Sequence, residues 1–333
     1  GGFDRSPLRA NGELPGGGRA RSGHPGGRWA GARVRILIAL GGNALLPRGA
    51  VPDASVQVEH VAAVAPALAA VAAHHQLVIT HGNGPQVGLL ALESADDHSL
   101  TRPYPLDALV AETQGLIGYW LQRSIAAAGL RRPIVSLVTQ TLVDPTDPAF
   151  DTPTKFVGAT YSEGDAHRLA AERGWTVAPD GDRWRRVVAS PDPVDVVERP
   201  LVEQLLERGT TVVCAGGGGV PVAHSDDGLV GVEAVIDKDS VAALLALQLH
   251  SDLLVLLTDV PNVIEGFGTD DARPLGLVTA EEIDSLSFPA GSMGPKVAAA
   301  SRFARFGRGP AVIGALDDLP QILEGVAGTR VTA

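Results

Sequence analysis

From Arg33 the chain enters a near-continuous apolar run, Val34, Ile36, Leu37, Ile38, Ala39 and Leu40, that stops at Gly41-Gly42. A segment that is apolar at consecutive rather than alternate positions buries both of its faces, which is the pattern of a parallel strand covered by helices on each side. The pattern recurs. Leu77 to Thr80 runs into the turn His81-Gly82-Asn83-Gly84-Pro85, and a third strand is predicted over Ile134 to Thr139. Thr211 to Ala215 runs into Gly216 to Gly219, and Leu253 to Leu257 ends at Thr258-Asp259. Helical patterns separate these runs, from about Asp53 to His74, from Leu106 to Gly129, near Val194 to Arg208, from Asp237, and from about Met293. Ala311 to Ile313, a short helix from Asp317 and an edge strand at Thr329 to Thr332 close the chain. Strands alternating with helices predict an α/β fold, a three-layer α/β/α sandwich around a mainly parallel sheet.

Between Leu142 and Ser190 the rhythm breaks into Pro-, Asp- and Trp-rich sequence, which predicts a small subdomain inserted over about residues 142–190. Residues 1–32, rich in Gly and Arg, read as a disordered leader outside a domain spanning 33–333. The Ala-rich run from Val61 to Ala73 is broken by Pro66, ends at His74-His75 and is too short to cross a bilayer, so no membrane span is expected. With 27 basic and 38 acidic residues the net charge is −11, which argues against a nucleic-acid partner or an anionic membrane surface. The single cysteine, Cys214, allows no internal disulfide and no cysteine metal cage, and this suits a reducing cytoplasm. Its apolar strand setting reads as that of a buried hydrophobe rather than a nucleophile.

Any anionic ligand must therefore be held locally, and only three of the 27 basic residues are lysine: Lys155, Lys238 and Lys296. A sequence that writes arginine at nearly every basic position keeps lysine where a compact ammonium on a flexible stem is needed. Asp237 is placed to cap a helix that begins beside Lys238, and Ser292 to cap one with Pro295 in its first turn and Lys296 beside it. A cation at the positive end of a helix is disfavoured by up to about 1 kcal/mol unless an anion lies nearby. Two solvated lysines would satisfy the pattern; bound phosphate accounts for it better. Asp239 admits two roles, orienting the lysines or a magnesium-water shell, or simply stabilising its helix N-terminus. Lys155, in Thr152-Pro153-Thr154-Lys155, belongs to the insertion and is expected to close over a substrate.

Gly41-Gly42-Asn43, Gly82-Asn83-Gly84 and Gly216 to Gly219 each follow a strand. Each alone is consistent with tight-turn chemistry; together, at the carboxyl edge of one sheet, they point to a polyphosphate site. No lysine follows a glycine, so there is no P-loop, and Gly41-Gly42 continues as Asn43-Ala44-Leu45-Leu46, which is not the dinucleotide fingerprint. None of the nine histidines forms a zinc-binding pattern, and His81 reads as a local hydrogen-bonding residue. Met293 is either pocket lining or core filler.

Five strings, in order, closely resemble the carbamate kinase family: Ile38 to Leu45, His81 to Gly88, Gly216 to Pro221, Val232 to Asp239, and Gly291 to Lys296. The likeness extends from Arg33 to the end and includes Pro148-Ala149-Phe150 and Pro153-Thr154-Lys155. The resemblance implies the amino-acid kinase fold with an eight-stranded, mainly parallel sheet, a protruding subdomain and a homodimer. The implied reaction is reversible phosphoryl transfer from ATP to carbamate, giving ADP and carbamoyl phosphate, with Mg2+, running towards ATP in arginine catabolism.

By the same resemblance, Gly41, Gly42, Asn43, Gly82 and Asn83 hold the carbamoyl phosphate end. Lys155, Lys238 and Lys296 surround the transferred group and Asp239 fixes their geometry. Gly216, Gly217, Gly218, Gly219, Asp259, Ser292, Met293 and Gly294 lie along the nucleotide, and direct metal ligands are unassigned. The chain departs from the family pattern after Val260, where Pro261-Asn262-Val263-Ile264-Glu265 replaces a stretch often carrying tyrosines. Another activity of the superfamily on a small carboxylate or phosphonate, or nucleotide binding without transfer, is the alternative.

Overall fold

The structure, a computed structural model, describes residues 33–46, 51–288 and 293–333. The expected leader and Ser292 lie outside the described residues, as does the side chain of Asn43.

Eight strands form the main sheet: β1 (Arg35–Leu40), β2 (Gln76–His81), β3 (Ile134–Ser136), β4 (Thr211–Val213), β5 (Leu253–Thr258), β6 (Leu277–Thr279), β7 (Ala311–Ala315) and β8 (Thr329–Thr332). Their spatial order is β6-β8-β7-β5-β1-β2-β4-β3. Every neighbouring pair is parallel except β7 with β8. The five principal helices are α1 (Ala54–His74), α2 (Gly84–Asp96), α3 (Leu106–Ala127), α4 (Lys238–Gln248) and α5 (Met293–Phe306).

The continuous apolar run of β1 has the consequence expected of it. Leu37 and Ala39 enter one core with the buried faces of α4 and α5, whereas Ile36, Ile38 and Leu40 enter a second with those of α1 and α3. Each fully buried aliphatic side chain contributes roughly 1.5–3 kcal/mol, so a strand loaded on both faces anchors the sheet. From β1 the chain moves to β2 on one side and returns, after β4, to β5 on the other. Ligands of open α/β sheets bind at such a reversal, beyond the strands' carboxyl ends.

Three local readings are corrected. Pro66 does not break α1, which runs unbroken over 21 residues. Pro66 is exposed, so the carbonyl it leaves unpartnered faces solvent on the outer side. α1 is thereby long and apolar enough to cross a membrane by length and composition alone; in this fold its Val61, Val64, Leu68 and Val71 pack into the second core. The strand expected to reach Thr139 splits after Ser136, because the Gln114 side chain takes over the backbone of Thr139. Its Nε2 donates to the Thr139 carbonyl at 3.0 Å and its Oε1 accepts from the Thr139 amide at 3.1 Å. The chain then continues as Gln140–Val143 in a separate four-stranded sheet with Pro193–Val196, Val220–Ser225 and Gly228–Gly231. Residues 194–196 are therefore strand rather than helix; the helix starts at Arg199, with Pro200 in its first turn.

Between those strands lies a three-stranded antiparallel sheet of Lys155–Tyr161, Arg183–Val188 and Thr176–Asp180, with the helix Glu163–Arg173. It packs on α2 at Gly88, where a Cβ would come within 2.5 Å of the Gly158 Cα. This contact seats Lys155 beside the main sheet.

Candidate active site

The turns after β1, β2 and β4 meet because their strands lie close together in the sheet and two glycines let the turns approach. A Cβ on Gly82 would be 2.9 Å from the Gly42 amide nitrogen. Gly217 has φ +65°, and a Cβ there would overlap the Asn83 side chain at 2.0 Å. Asn83 itself is buried and donates from Nδ2 to Thr113 Oγ1 at 2.9 Å. The turn after β4 is held from below by Thr141, whose hydroxyl donates to the Gly218 carbonyl at 2.8 Å.

Over these turns opens a cavity of about 230 Å³, lined by Gly42, Gly82, Asn83, Gly217 and all three lysines of the chain, with Asp237 and Asp239 between them. Lys238 is the first residue of α4 and Lys296 lies in the first turn of α5, two helices packed against each other. Asp239 bridges them, with Oδ1 2.5 Å from Lys238 Nζ and Oδ2 3.0 Å from Lys296 Nζ. Lys155 arrives from the three-stranded sheet and its Nζ lies 2.7 Å from Asp237 Oδ2. Three ammoniums against two carboxylates leave this group of five side chains with a net positive charge.

Burial raises the Asp239 carboxyl, but Lys238 and Lys296 outweigh burial and hold its pKa at about 2. Burial lowers the Lys238 ammonium, with Asp239 opposing and Lys296 reinforcing the shift. Burial also raises the Asp237 carboxyl, and Lys155 overcomes it, leaving Asp237 below the usual carboxylate range. Beneath the cavity His81 is fully enclosed; burial drives its pKa down to about 4, with the Gly82 carbonyl opposing and Lys238 assisting. At neutral pH it is an uncharged ring, its Nδ1 3.0 Å from the Gly82 carbonyl oxygen.

Not every residue singled out in the sequence reaches this cavity. Gly41 packs below it, where a Cβ would be 2.8 Å from the Leu257 carbonyl oxygen. Gly216, Gly218 and Gly219 are buried within the turn, and of its four glycines Gly217 lines the cavity. Asp259 is an exposed residue beyond β5, 3.1 Å from Thr258 Oγ1. Met293 is half-buried against the core of α4 and α5, and Gly294 precedes the lining residues Pro295 and Lys296.

The model of the amino acid kinase family matches residues 34–315. Carbamate kinase of Rhizobium meliloti (strain 1021) is 45% identical over 304 residues, covering 90% of this chain and 94% of that protein. Carbamate kinase of Escherichia coli (strain K12) is 47% identical, covering 89% of this chain and 99% of its own. The chain belongs to the carbamate kinase family. Among solved structures, carbamate kinase from Giardia lamblia bound to AMP-PNP superimposes with a TM-score of 0.83 at 38% identity, covering 90% of this chain and 99% of its own.

For this carbamate kinase family member, the sequence brings the lysines and glycine turns together but does not reveal the partners that hold them. Its pattern marks Asp237 as a helix cap, which it is, accepting from the Asp239 and Ser240 amides at 2.9 and 3.1 Å. Its second oxygen is bound to Lys155, 82 residues away in sequence, and no local pattern reports that. The buried Thr113, Gln114 and Thr139 fall on one face of α3 or in a short loop, and their polarity inside apolar segments was the available signal.

Proposed function

We propose that this enzyme catalyses reversible phosphoryl transfer between ATP and carbamate. The observation that carries the reading is the cluster of three ammoniums and two carboxylates set over the glycine turns at the sheet's carboxyl edge. In the forward direction a carbamate oxygen attacks the γ-phosphorus, a new P–O bond forms, and the bond to the ADP β-phosphate oxygen breaks, with its electron pair leaving on ADP. Carbamate is already an oxyanion, so no base need remove a proton. The task is positioning and charge stabilisation.

Lys238 and Lys296 stabilise the equatorial and bridging oxygens of the transferred group. Asp239 bridges the two ammoniums and fixes their spacing. Lys155 closes the site from the inserted subdomain, about residues 142–190, and neutralises charge on the carbamate side. The backbone amides of Gly42, Asn43 and Gly82 and the Asn83 side chain hold the substrate's oxygens. Gly216 to Gly219, Asp259 and the turn Ser292-Met293-Gly294 accommodate the nucleotide.

Among the described residues no three His, Cys, Asp or Glu side chains gather into a metal cage, and the two carboxylates at the cavity are engaged by lysines. Such a donor set does not fit a resident ion. Mg2+ enters as part of the nucleotide–metal substrate, where it neutralises phosphate charge. The reading includes a homodimer in the cytoplasm that forms ATP from carbamoyl phosphate in arginine catabolism.

Exchange of labelled phosphoryl between carbamoyl phosphate and ATP tests the proposal. Exchange dependent on both nucleotide and divalent cation is expected; tight nucleotide binding without exchange would replace catalysis by a binding function.

A further inference from the structure

Asp237 joins two parts of the molecule that separate chain segments bring to the cavity. Its Oδ1 accepts from the amides of Asp239 and Ser240 and so fixes the first turn of α4, the turn that carries Lys238 and the bridging Asp239. Its Oδ2 accepts from Lys155 Nζ at 2.7 Å. Lys155 stands on the first strand of the three-stranded sheet, paired in register with Val188. One residue further on, Ala189 bridges Ala234, and the Val235 amide donates to the Ala189 carbonyl at 3.0 Å. The backbones leading to Lys155 and to Asp237 are thus already tied together, and the carboxylate–ammonium pair closes the ring at the side-chain level.

We infer that Asp237 is a positioning residue for phosphoryl transfer, using one oxygen to set α4 and the other to aim the Lys155 ammonium at the group held by Lys238 and Lys296. The inference rests on the kinase reading above. Its physical basis is the flexibility of lysine. Four rotatable bonds carry the ammonium of Lys155, whose side chain is 35% exposed, and nothing in a strand backbone alone selects the rotamer that points into the cavity. An ammonium has three donors, so one can stay on Asp237 while others meet substrate oxygens. The carboxylate also offsets repulsion as Lys155 approaches two further cations. Burial opposes an ionised Asp237, and Lys155 prevails, so the carboxylate is charged at neutral pH.

Asp237→Asn separates the two duties, because asparagine caps a helix as well as aspartate but carries no charge for Lys155. In the full-length enzyme, ATP formation from ADP and carbamoyl phosphate is measured for the wild type, Asp237→Asn, Lys155→Met and the double variant, alongside thermal unfolding. Asp237→Asn is expected to unfold near the wild-type temperature, and to lose about 10- to 100-fold in kcat, as a misaimed catalytic group does. Lys155→Met is expected to cost far less when added to Asp237→Asn than when added to the wild type. Wild-type kcat in Asp237→Asn would overturn the inference. So would an equal cost of Lys155→Met in both backgrounds, which would place the effect in the helix cap. Should Asp237→Asn misfold, Asp237→Ser enters the same cycle, since its hydroxyl caps α4 and offers no second oxygen to Lys155. A wild-type enzyme that makes no ATP sinks the kinase reading instead, a failure distinct from an active wild type whose kcat is unchanged in Asp237→Asn.

Discussion

Lys296 Nζ lies 3.0 Å from Asp239 Oδ2, although 57 residues separate the two in sequence. The contact joins the first turns of α4 and α5, and both side chains are almost fully enclosed, at 8% and 5% exposure. A cation and an anion are thereby paired at the starts of two helices whose dipoles favour only the anion.

Asp239→Asn removes the charge that two buried ammoniums share. Breaking a buried pair from one side costs on the order of 3–5 kcal/mol, more than a surface ion pair would. A fall in urea unfolding free energy of about that size is expected, with at least about a hundredfold loss of kcat. Wild-type stability and turnover in this variant would show that Asp239 only decorates its helix.

Acid should weaken the fold in two stages. His81 has its pKa lowered from 6.5 to about 4, so the unfolded chain takes up its proton first and stability falls as pH drops from about 6.5 towards 4, by roughly 3 kcal/mol. Asp239 has its pKa lowered from 3.8 to about 2; its contribution of about 2 kcal/mol is present above pH 4 and lost as pH falls through 2. Urea midpoints across pH 7 to 2 check both stages, with a flatter upper stage in His81→Gln. Constant stability from pH 7 to 4.5 would contradict the enclosed, neutral His81.

Gly217→Ala tests the meeting of the turns. The new methyl would enter space occupied by Asn83, at a backbone angle costly to residues with a side chain. A loss of roughly 1–3 kcal/mol in stability is expected, with a raised KM for nucleotide. An unchanged KM together with unchanged stability would mean the turn lies off the substrate path.

The strands and their glycine turns were legible because burial on both faces leaves an unbroken apolar run, as in β1, and because close backbone approach demands glycine, as at Gly82 and Gly217. The three lysines were legible through their rarity and through their places, two beside predicted helix starts and one in the insertion. Other features depend on distant partners. Residues 140–143 and 193–196 are short and of mixed polarity, and only their pairing with each other and with Val220–Ser225 makes them a sheet. The bond from Lys155 to Asp237 likewise needs the insertion packed on α2, through the Gly88–Gly158 contact, before it can exist.

The lone thiol should be inert while the chain is folded. Cys214 is 1% exposed, and burial, reinforced by Glu198, raises its pKa to about 12. Thiolate is the reactive form, so disulfide reagents should modify the protein only in denaturant. Stoichiometric labelling of the native enzyme without unfolding would show that the carboxyl end of β4 opens to solvent.

The most direct measurement is ATP formation from ADP and carbamoyl phosphate by the wild type and by Lys296→Arg. The wild type should turn over carbamoyl phosphate and not glutamyl phosphate, and Lys296→Arg should lose most of kcat despite keeping its charge, because a guanidinium fork does not fit the ammonium's place beside Asp239. Near-normal turnover by Lys296→Arg, or wild-type turnover confined to another acyl phosphate, would contradict the account.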